Sequence, residues 1–391
     1  MFEVDARIPG RHGRAGRIRT PHGIISTPAF IPVATSATVK AVLPEAVKAA
    51  GAQAVLANAY HLYLQPGPDI VEAAGGLGAF MNWPGPTFTD SGGFQVMSLA
   101  AGFGKKIAME SEAVVAGPRS PGLARVDDDG VTFRSHRDGS MHRFTPEVSM
   151  RVQHQIGADI IFAFDELTTL ADGRAYQESS VVRTHEWARR CVVEHQRLTA
   201  ERAGRPYQAL FGVVQGAHYE DLRRQASRGL AELEFDGFGI GGALEKHNMG
   251  EIVGWCCDEL PADKPRHMLG ISEPEDVFTA IENGADTFDC VMPSRVARNG
   301  RVYTRNGRFS VVRSPMRRDF SPIESDCDCY TCAHYTRAYL HHLFKAKETV
   351  AGTLCTIHNE RFTLRLFADI RESILHGRFD AFRAEFLGQY V

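Results

Sequence analysis

The feature that most limits what this chain can fold into is a series of eight short apolar runs rich in Val, Ile and Phe, each closed by a polar or glycine-containing turn. They are "AFIPVAT" (29–35), "AQAVLANAY" (52–60), "PTFTD" (86–90), "ADIIFAFDE" (158–166), "QALFGVVQG" (208–216), "FDGFGIGG" (235–242), "RHMLGIS" (266–272) and "ADTFDCVMPSR" (285–295). Their apolar residues are continuous rather than alternating, as in strands covered on both faces. Most are followed by an amphipathic stretch, such as "TPEVSMRVQHQIG", "HYEDLRRQASRGLAEL" or "EPEDVFTAIENG". Several of these open with proline in the first turn, where its missing N–H costs nothing. The alternation predicts an α/β protein, a (β/α)₈ TIM barrel, with a doubly wound open sheet as the alternative from the same pattern.

The 391 residues leave room for a barrel domain over 1–310 and a smaller C-terminal subdomain over 311–391. Two hairpins interrupt the barrel pattern: "VTFRSHRDGSMHRFT", turning at Asp138-Gly139, and "GRVYTRNGRFSVV", turning at Asn306-Gly307. An irregular segment near 103–129 precedes the first. In the tail, "TRAYLHHLFKAKETV" and "IHNERFTLRLFADIRESILHG" are helical by spacing.

With 43% hydrophobic and 23% charged residues the chain has a globular composition. No window approaches the ~18 consecutive apolar residues of a membrane span, and the basic N-terminus lacks the apolar stretch of a secretory signal. The expected location is therefore cytoplasmic, where thiols stay reduced and clustered cysteines hold metals or do chemistry. Cys327, Cys329 and Cys332 crowd into "SDCDCYTCAHY". A C-x-C-x₂-C set needs one more ligand to complete a tetrahedral Zn²⁺ site, and four protein ligands make such a site structural. By spacing His334, His341, Cys355 and His358 all qualify. The net charge of −3 hides eight arginines and no acidic residue between Arg295 and Arg318, a patch suited to a polyanion.

In a barrel, chemistry gathers where strands end. The third run ends in Asp90, followed by Ser91, Gly92, Gly93, Phe94 and Gln95; the fourth ends in Asp165-Glu166, the fifth in Gln215, the sixth in Gly241-Gly242, and the eighth carries Asp289. Asp289 lies inside the apolar "TFDCVMP", where a charge is costly unless paired or used, and it could act as nucleophile or general base. The glycines let backbone amides approach a flat ligand, and Phe94 offers a stacking face. Asp165 can accept paired N–H donors such as guanine presents, while Gln215 can both donate and accept.

Taken in order, "ANAYHLYLQPG", "TDSGGFQV", "VTFRSHRDGS", "FAFDE", "GVVQG", "FDGFGIGG", "FDCVMPSRVARNG", "CDCYTCAHYTRAYLHHL" and "IHN" make the sequence resemble the queuine tRNA-ribosyltransferases, or tRNA-guanine transglycosylases, of the bacterial kind, over nearly the whole chain. The resemblance implies exchange of guanine at the wobble position of GUN anticodons for 7-aminomethyl-7-deazaguanine, in queuosine biosynthesis, with queuine as the alternative incoming base. It makes Asp289 the nucleophile and Asp90 the general acid and base. Ser91, Gly92, Gly93, Phe94, Asp165, Gln215 and Gly242, with Asp90, would hold the base. Gly270, Ile271, Ser272, Glu273, Pro274, Glu275 and Asp276 would meet RNA, as would Ser294, Arg295, Val296, Ala297 and Arg298. The zinc ligands would be Cys327, Cys329, Cys332 and His358, and the enzyme would pair as a homodimer.

Three places depart from the family pattern: the longer segment near 103–129, Leu167 where many bacterial members have cysteine, and "GGALEKHN" where they have "GGLAVGE". The last two touch the part of the pocket that judges the 7-substituent. Two rival classes share some of these features. A non-catalytic tRNA-binding relative would not need both Asp90 and Asp289, and a retaining glycoside hydrolase would have no use for the arginines or the metal site.

Overall fold

In a computed structural model that describes residues 1–100, 124–242 and 246–390, each of the eight apolar runs contributes one strand. These are β1 (Ala29–Pro32), β2 (Val55–Ala57), β3 (Thr87–Thr89), β4 (Ile160–Phe162), β5 (Ala209–Val214), β6 (Gly237–Ile240), β7 (Arg266–Met268) and β8 (Thr287–Cys290). All pair in parallel in the order β1-β8-β7-β6-β5-β4-β3-β2. A further parallel bridge, Val33 to Leu56, joins β1 to β2 and closes the ring. That closure decides for the barrel over the open sheet.

Because side chains alternate along a strand, each strand feeds two cores. Ile31, Leu56, Phe88, Ile160, Phe162, Phe211 and Val213 pack inside the barrel, whereas Phe30, Val55, Ile161, Leu210, Phe238 and Phe288 face the helices outside. The inward positions of β6 are glycines. A Cβ on Gly237 would stand 2.5 Å from the ring of Phe211, and one on Gly239 3.1 Å from Phe162, so large rings on β4 and β5 require an empty place opposite. On β7 and β8 the inward positions are His267, Thr287 and Asp289. Polar groups thus occupy one wall of an otherwise apolar barrel.

The outer helices follow their start and stop chemistry. Helix Pro146–Ile156 begins where the Thr145 hydroxyl accepts from the Val148 amide and ends at Gly157 with φ of 75°, a left-handed turn that suits glycine. Both hairpins form, Gly130–Arg134 with Met141–Phe144 and Arg301–Thr304 with Gly307–Ser310, but the second pairs Thr304 with Gly307, so its turn residues are Arg305-Asn306, one position before those expected. The first gains a third strand, Ala124–Asp127. The rest of the irregular insertion, 101–123, lies outside the described residues, as do Ala243, Leu244 and Glu245.

The sequence reading did not anticipate an N-terminal antiparallel sheet, Phe2–Arg7, Arg14–Thr20 and Gly23–Thr27. Its Ile18 and Ile25 join the barrel's inner core and close the end opposite the strand C-termini. Arg14 fixes it there through a fully buried two-pronged pair with Asp286, at 2.8 and 2.7 Å. In the tail, helix Val350–Leu375 lies against the barrel, with the Phe367 ring 5.7 Å from Phe30 and 5.1 Å from Phe288. No helix among the described residues is long and apolar enough to cross a membrane.

Candidate active site

Asp289 follows Thr287 by two positions and Asp90 follows Phe88 by two, so both carboxylates continue inward-facing rows and emerge at the C-terminal rim, on β8 and just past β3. Asp90 receives the Ala59 amide at 2.8 Å, the Gln95 carboxamide at 2.9 Å and a short hydrogen bond from Asn58. Burial outweighs these donors and, with the negative charge of Asp289 adding to it, raises the Asp90 carboxyl to about 6. Among the described residues Asp289 accepts at a single oxygen, Oδ1, from His267 Nε2 at 3.1 Å and the Gly270 amide at 3.2 Å.

Beside this pair lies a second cluster. Asp165 accepts from the Gln215 carboxamide at 2.6 Å and from the Ser91 hydroxyl at 3.2 Å, and the Gly93 amide donates to Ser91 at 3.2 Å. Burial raises Asp165 also to about 6, with the charge of Asp90 contributing. Among the described residues the oxygen of Gln215 is buried without a partner. Glycine is required around it: a Cβ at Gly242, whose φ is +88°, would lie 2.6 Å from that oxygen, and one at Gly93 2.9 Å from the Asp165 carbonyl. Phe94 is 42% exposed at the start of helix Gly93–Ala100. Asp90, Ser91, Gly92, Gly93, Asp165, Gln215 and Gly242 therefore form one connected site, and Leu167 stands half-buried two residues beyond Asp165.

Glu166 parts from its neighbour Asp165. It is buried against Arg183 and Tyr176 in an ion pair that anchors helix Arg174–Glu201. Of the residues expected to meet RNA, Gly270, Glu275 and Arg295 are exposed, Ile271, Glu273, Val296 and Arg298 half-buried, and Ser272, Pro274, Asp276, Ser294 and Ala297 buried. Ser294 shapes helix Met292–Ala297, its hydroxyl donating to Val291. Among the arginines, Arg305 approaches Asp326 and Asp369, and Arg308 pairs with Glu273. Arg295, Arg301, Arg313, Arg317 and Arg318 are exposed.

Three site residues escaped the sequence reading. Asn58 stands one position past β2, a strand end the same rule would have covered. His267 is a polar residue within the apolar seventh run, the signal that singled out Asp289 in the eighth. Arg223 has no local signal: from helix Glu220–Ala231 its buried guanidinium donates to the carbonyls of Ala217, Val214 and Gly241, tying the ends of β5 and β6 together behind Gln215 and Gly242.

The cysteine cluster closes on a single histidine. Nδ1 of His358 lies 3.6, 3.6 and 3.3 Å from the sulfurs of Cys327, Cys329 and Cys332, and the four ligand atoms lie within 4.8 Å of one another. His358 Nε2 is 2.7 Å from the Tyr303 carbonyl. Donation there leaves the Nδ1 lone pair for an ion, the usual arrangement for a metal-binding imidazole. These residues can hold a metal ion; His334, His341 and Cys355 are not part of the group.

A closed parallel barrel with acidic groups at its strand ends belongs with enzymes, and comparison with known proteins narrows the class to the pentosyltransferases. The family model described as queuine tRNA-ribosyltransferase matches residues 10–391. Among bacterial relatives, the queuine tRNA-ribosyltransferase of Roseiflexus sp. (strain RS-1) is 46% identical, covering 99% of both chains. That of Caldanaerobacter subterraneus subsp. tengcongensis is 45% identical, over 100% of this chain and 96% of its own. That of Pelotomaculum thermopropionicum is also 45% identical, over 100% and 98%. The chain belongs to the queuine tRNA-ribosyltransferase family.

Proposed function

We propose that the protein exchanges guanine at the wobble position of GUN anticodons, those of tRNA-Asp, tRNA-Asn, tRNA-His and tRNA-Tyr, for 7-aminomethyl-7-deazaguanine, the base-exchange step of queuosine biosynthesis in the cytoplasm. Asp289 attacks the ribose C1′ as the bond to guanine breaks, and the departing base takes a proton from the Asp90 carboxyl. Asp90, now ionised, removes a proton from the incoming base, whose nitrogen attacks C1′ and returns Asp289 as a carboxylate. Two displacements at one carbon give net retention.

The observation that carries this reading is the pair of inward carboxylates at one rim with Asp90 held near 6, close to neutrality, where one group can both give and take a proton. Asp165 and Gln215 suit the edge of a guanine, and the Gln215 oxygen, without a partner among the described residues, is an acceptor ready for a base N–H. Phe94 can cover the ring. Unstacking the target nucleotide costs roughly a few kcal/mol, offset by stacking and edge contacts in such a pocket. The exposed Arg295, Arg301, Arg313, Arg317 and Arg318, with the segments from Gly270 and Ser294, are assigned to phosphates and flanking nucleotides, a role their exposed guanidinium groups suit.

The metal is assigned as structural Zn²⁺ on Cys327, Cys329, Cys332 and His358. A tetrahedron with Zn–S of about 2.3 Å and Zn–N of about 2.0 Å has an S···N edge of about 3.5 Å, and the observed separations run from 3.3 to 3.6 Å. All four positions are filled by protein, so the ion holds the fold and takes no part in the exchange. A homodimer, one subunit helping to hold the tRNA, completes the assignment; light scattering with and without tRNA tests it.

Incubating the protein with an unmodified GUN-anticodon transcript and labelled guanine tests the exchange, which should place label in the anticodon. The Asp289→Ala variant should incorporate none and capture no RNA covalently. Unchanged RNA binding and label uptake in that variant would reject the nucleophile. Competing queuine against the aminomethyl base identifies the incoming base, and a strong preference for queuine overturns the choice made here.

A further inference from the structure

The geometry points to His267 as a positioning residue that clamps one oxygen of Asp289 so that the other faces the sugar; the inference rests on the nucleophilic role of Asp289 proposed above. His267 is fully buried on β7, its ring centroid 5.6 Å from that of Phe88 and 5.2 Å from that of Phe162. β7 pairs with β8 in the register His267 to Thr287, and Thr287 and Asp289 share one face of β8. The imidazole spans both: Nδ1 lies 2.9 Å from the Thr287 hydroxyl and Nε2 3.1 Å from Asp289 Oδ1.

A carboxylate only accepts, so the ring hydrogen that faces Asp289 is on Nε2. In the neutral ring Nδ1 is then the acceptor, and Thr287 donates to it, fixing the tautomer. The Gly270 amide, on the turn that follows β7, supplies a second donor to the same oxygen at 3.2 Å. Oδ2 takes no hydrogen bond from the described residues. The carboxylate is therefore held asymmetrically, with Oδ1 bound by two donors and Oδ2 left with its lone pairs.

An Oδ2 lone pair forms the bond to C1′ while the C1′–N9 electron pair leaves with guanine, which Asp90 protonates. His267 transfers no proton in either half-reaction. Its Nε2–H restrains rotation of the carboxylate, and when the incoming base displaces the ester and the bonding pair returns to Oδ2, it stabilises the share of the re-formed carboxylate's charge that resonance places on Oδ1.

Steady-state exchange of labelled guanine into a GUN transcript tests this with four variants, alongside trapping of the covalent RNA adduct. His267→Phe keeps a ring but removes the donor; kcat should fall about 10- to 100-fold, as misplacement of a reacting group does, with KM for tRNA and guanine nearly unchanged. His267→Gln, whose carboxamide N–H can reach Oδ1, should recover a large part of the loss. Thr287→Val should fall between the two, and it decides the matter if His267→Phe does not fold. An unchanged kcat in His267→Phe, or in Thr287→Val where that variant must decide, overturns the inference. So does a glutamine variant no better than phenylalanine, or a change confined to KM. Asp289→Ala separates the two levels: if the wild type fails to exchange, or Asp289→Ala still does, the nucleophile assignment has failed. If both behave as expected and His267→Phe is unaffected, only the role of His267 is lost.

Discussion

Gln215 donates to Asp165 over 2.6 Å, while the oxygen of the same carboxamide lies 2.6 Å from the point a Cβ on Gly242 would occupy. The amide that orients the carboxylate is thus held in place only because residue 242 has no side chain. Gly242→Ala should displace Gln215 and also strain a backbone with φ of +88°. We expect guanine to bind at least about tenfold more weakly, about 1.4 kcal/mol, with the fold intact by circular dichroism. Calorimetric titration yielding wild-type affinity would remove Gly242 from the base site.

The Asp165 carboxyl, raised by burial to about 6 from an ordinary 3.8, gives guanine binding a pH dependence of definite sign. Above about 6 the group is ionised and accepts the base's N–H donors; below it the proton occupies an acceptor position. Affinity for guanine should decline as pH falls from 7 through 6 to 5, a trend calorimetry or fluorescence titration can follow. Asp165→Asn should flatten that slope, leaving the part that Asp90 contributes.

The same shift has a stability consequence opposite in sign to that of a salt-bridged carboxylate. Between about 4 and about 6 the folded state holds protons at Asp90 and Asp165 that the unfolded chain has released, so their contribution to stability diminishes as pH rises through that window. Thermal melts of the Asp90→Asn, Asp165→Asn double variant, compared with wild type from pH 4 to 7, should show a smaller loss on the rising limb. Parallel curves would contradict the assignment.

Removing a metal ligand acts on the fold rather than the chemistry. Cys332→Ala should release the ion, measured by mass spectrometry of the purified protein. Because His358 lies on helix Val350–Leu375, which packs against β1 and β8, the melting temperature should fall along with the metal content. Full metal occupancy in the variant would exclude Cys332 as a ligand.

Arg14→Met should be more damaging than its remote location suggests. It leaves Asp286 buried without its guanidinium partner and loosens the sheet that closes the barrel floor. A loss of about 3–5 kcal/mol is expected for breaking a buried pair from one side. Denaturant unfolding measures it, and a loss near that of a surface mutation would show that the pair contributes little.

Several elements could be read directly from local residues. All eight strands, both hairpins and the helix led by Thr145-Pro146 carry their signals in adjacent residues, and the cysteine spacing announced a metal site. Asp289 stood out because a charge inside an apolar run is costly. The N-terminal sheet did not: its first two strands interleave charged with apolar residues instead of forming continuous apolar runs, and what stabilises them is contact with the barrel floor, hundreds of residues away in the case of Asp286. Arg223 and His267 were missed for a related reason. Arg223 ties the ends of two strands through carbonyls that only folding brings together, and the partners of His267 lie on the next strand, although its place in an apolar run was itself a local signal.

By itself the sequence determined the strands and their period, the residues at their ends and the donor set for a metal, because each depends on near neighbours and on hydrophobic burial. Only the tertiary structure decided that the sheet closes through Val33 and Leu56 and that Glu166 turns away from the site its neighbour enters, and it brought His358, which spacing left level with His334, His341 and Cys355 and the resemblance singled out, to the three cysteines. Those outcomes depend on distances between remote segments, which become fixed when the ring of strands shuts and each inward row points at one mouth.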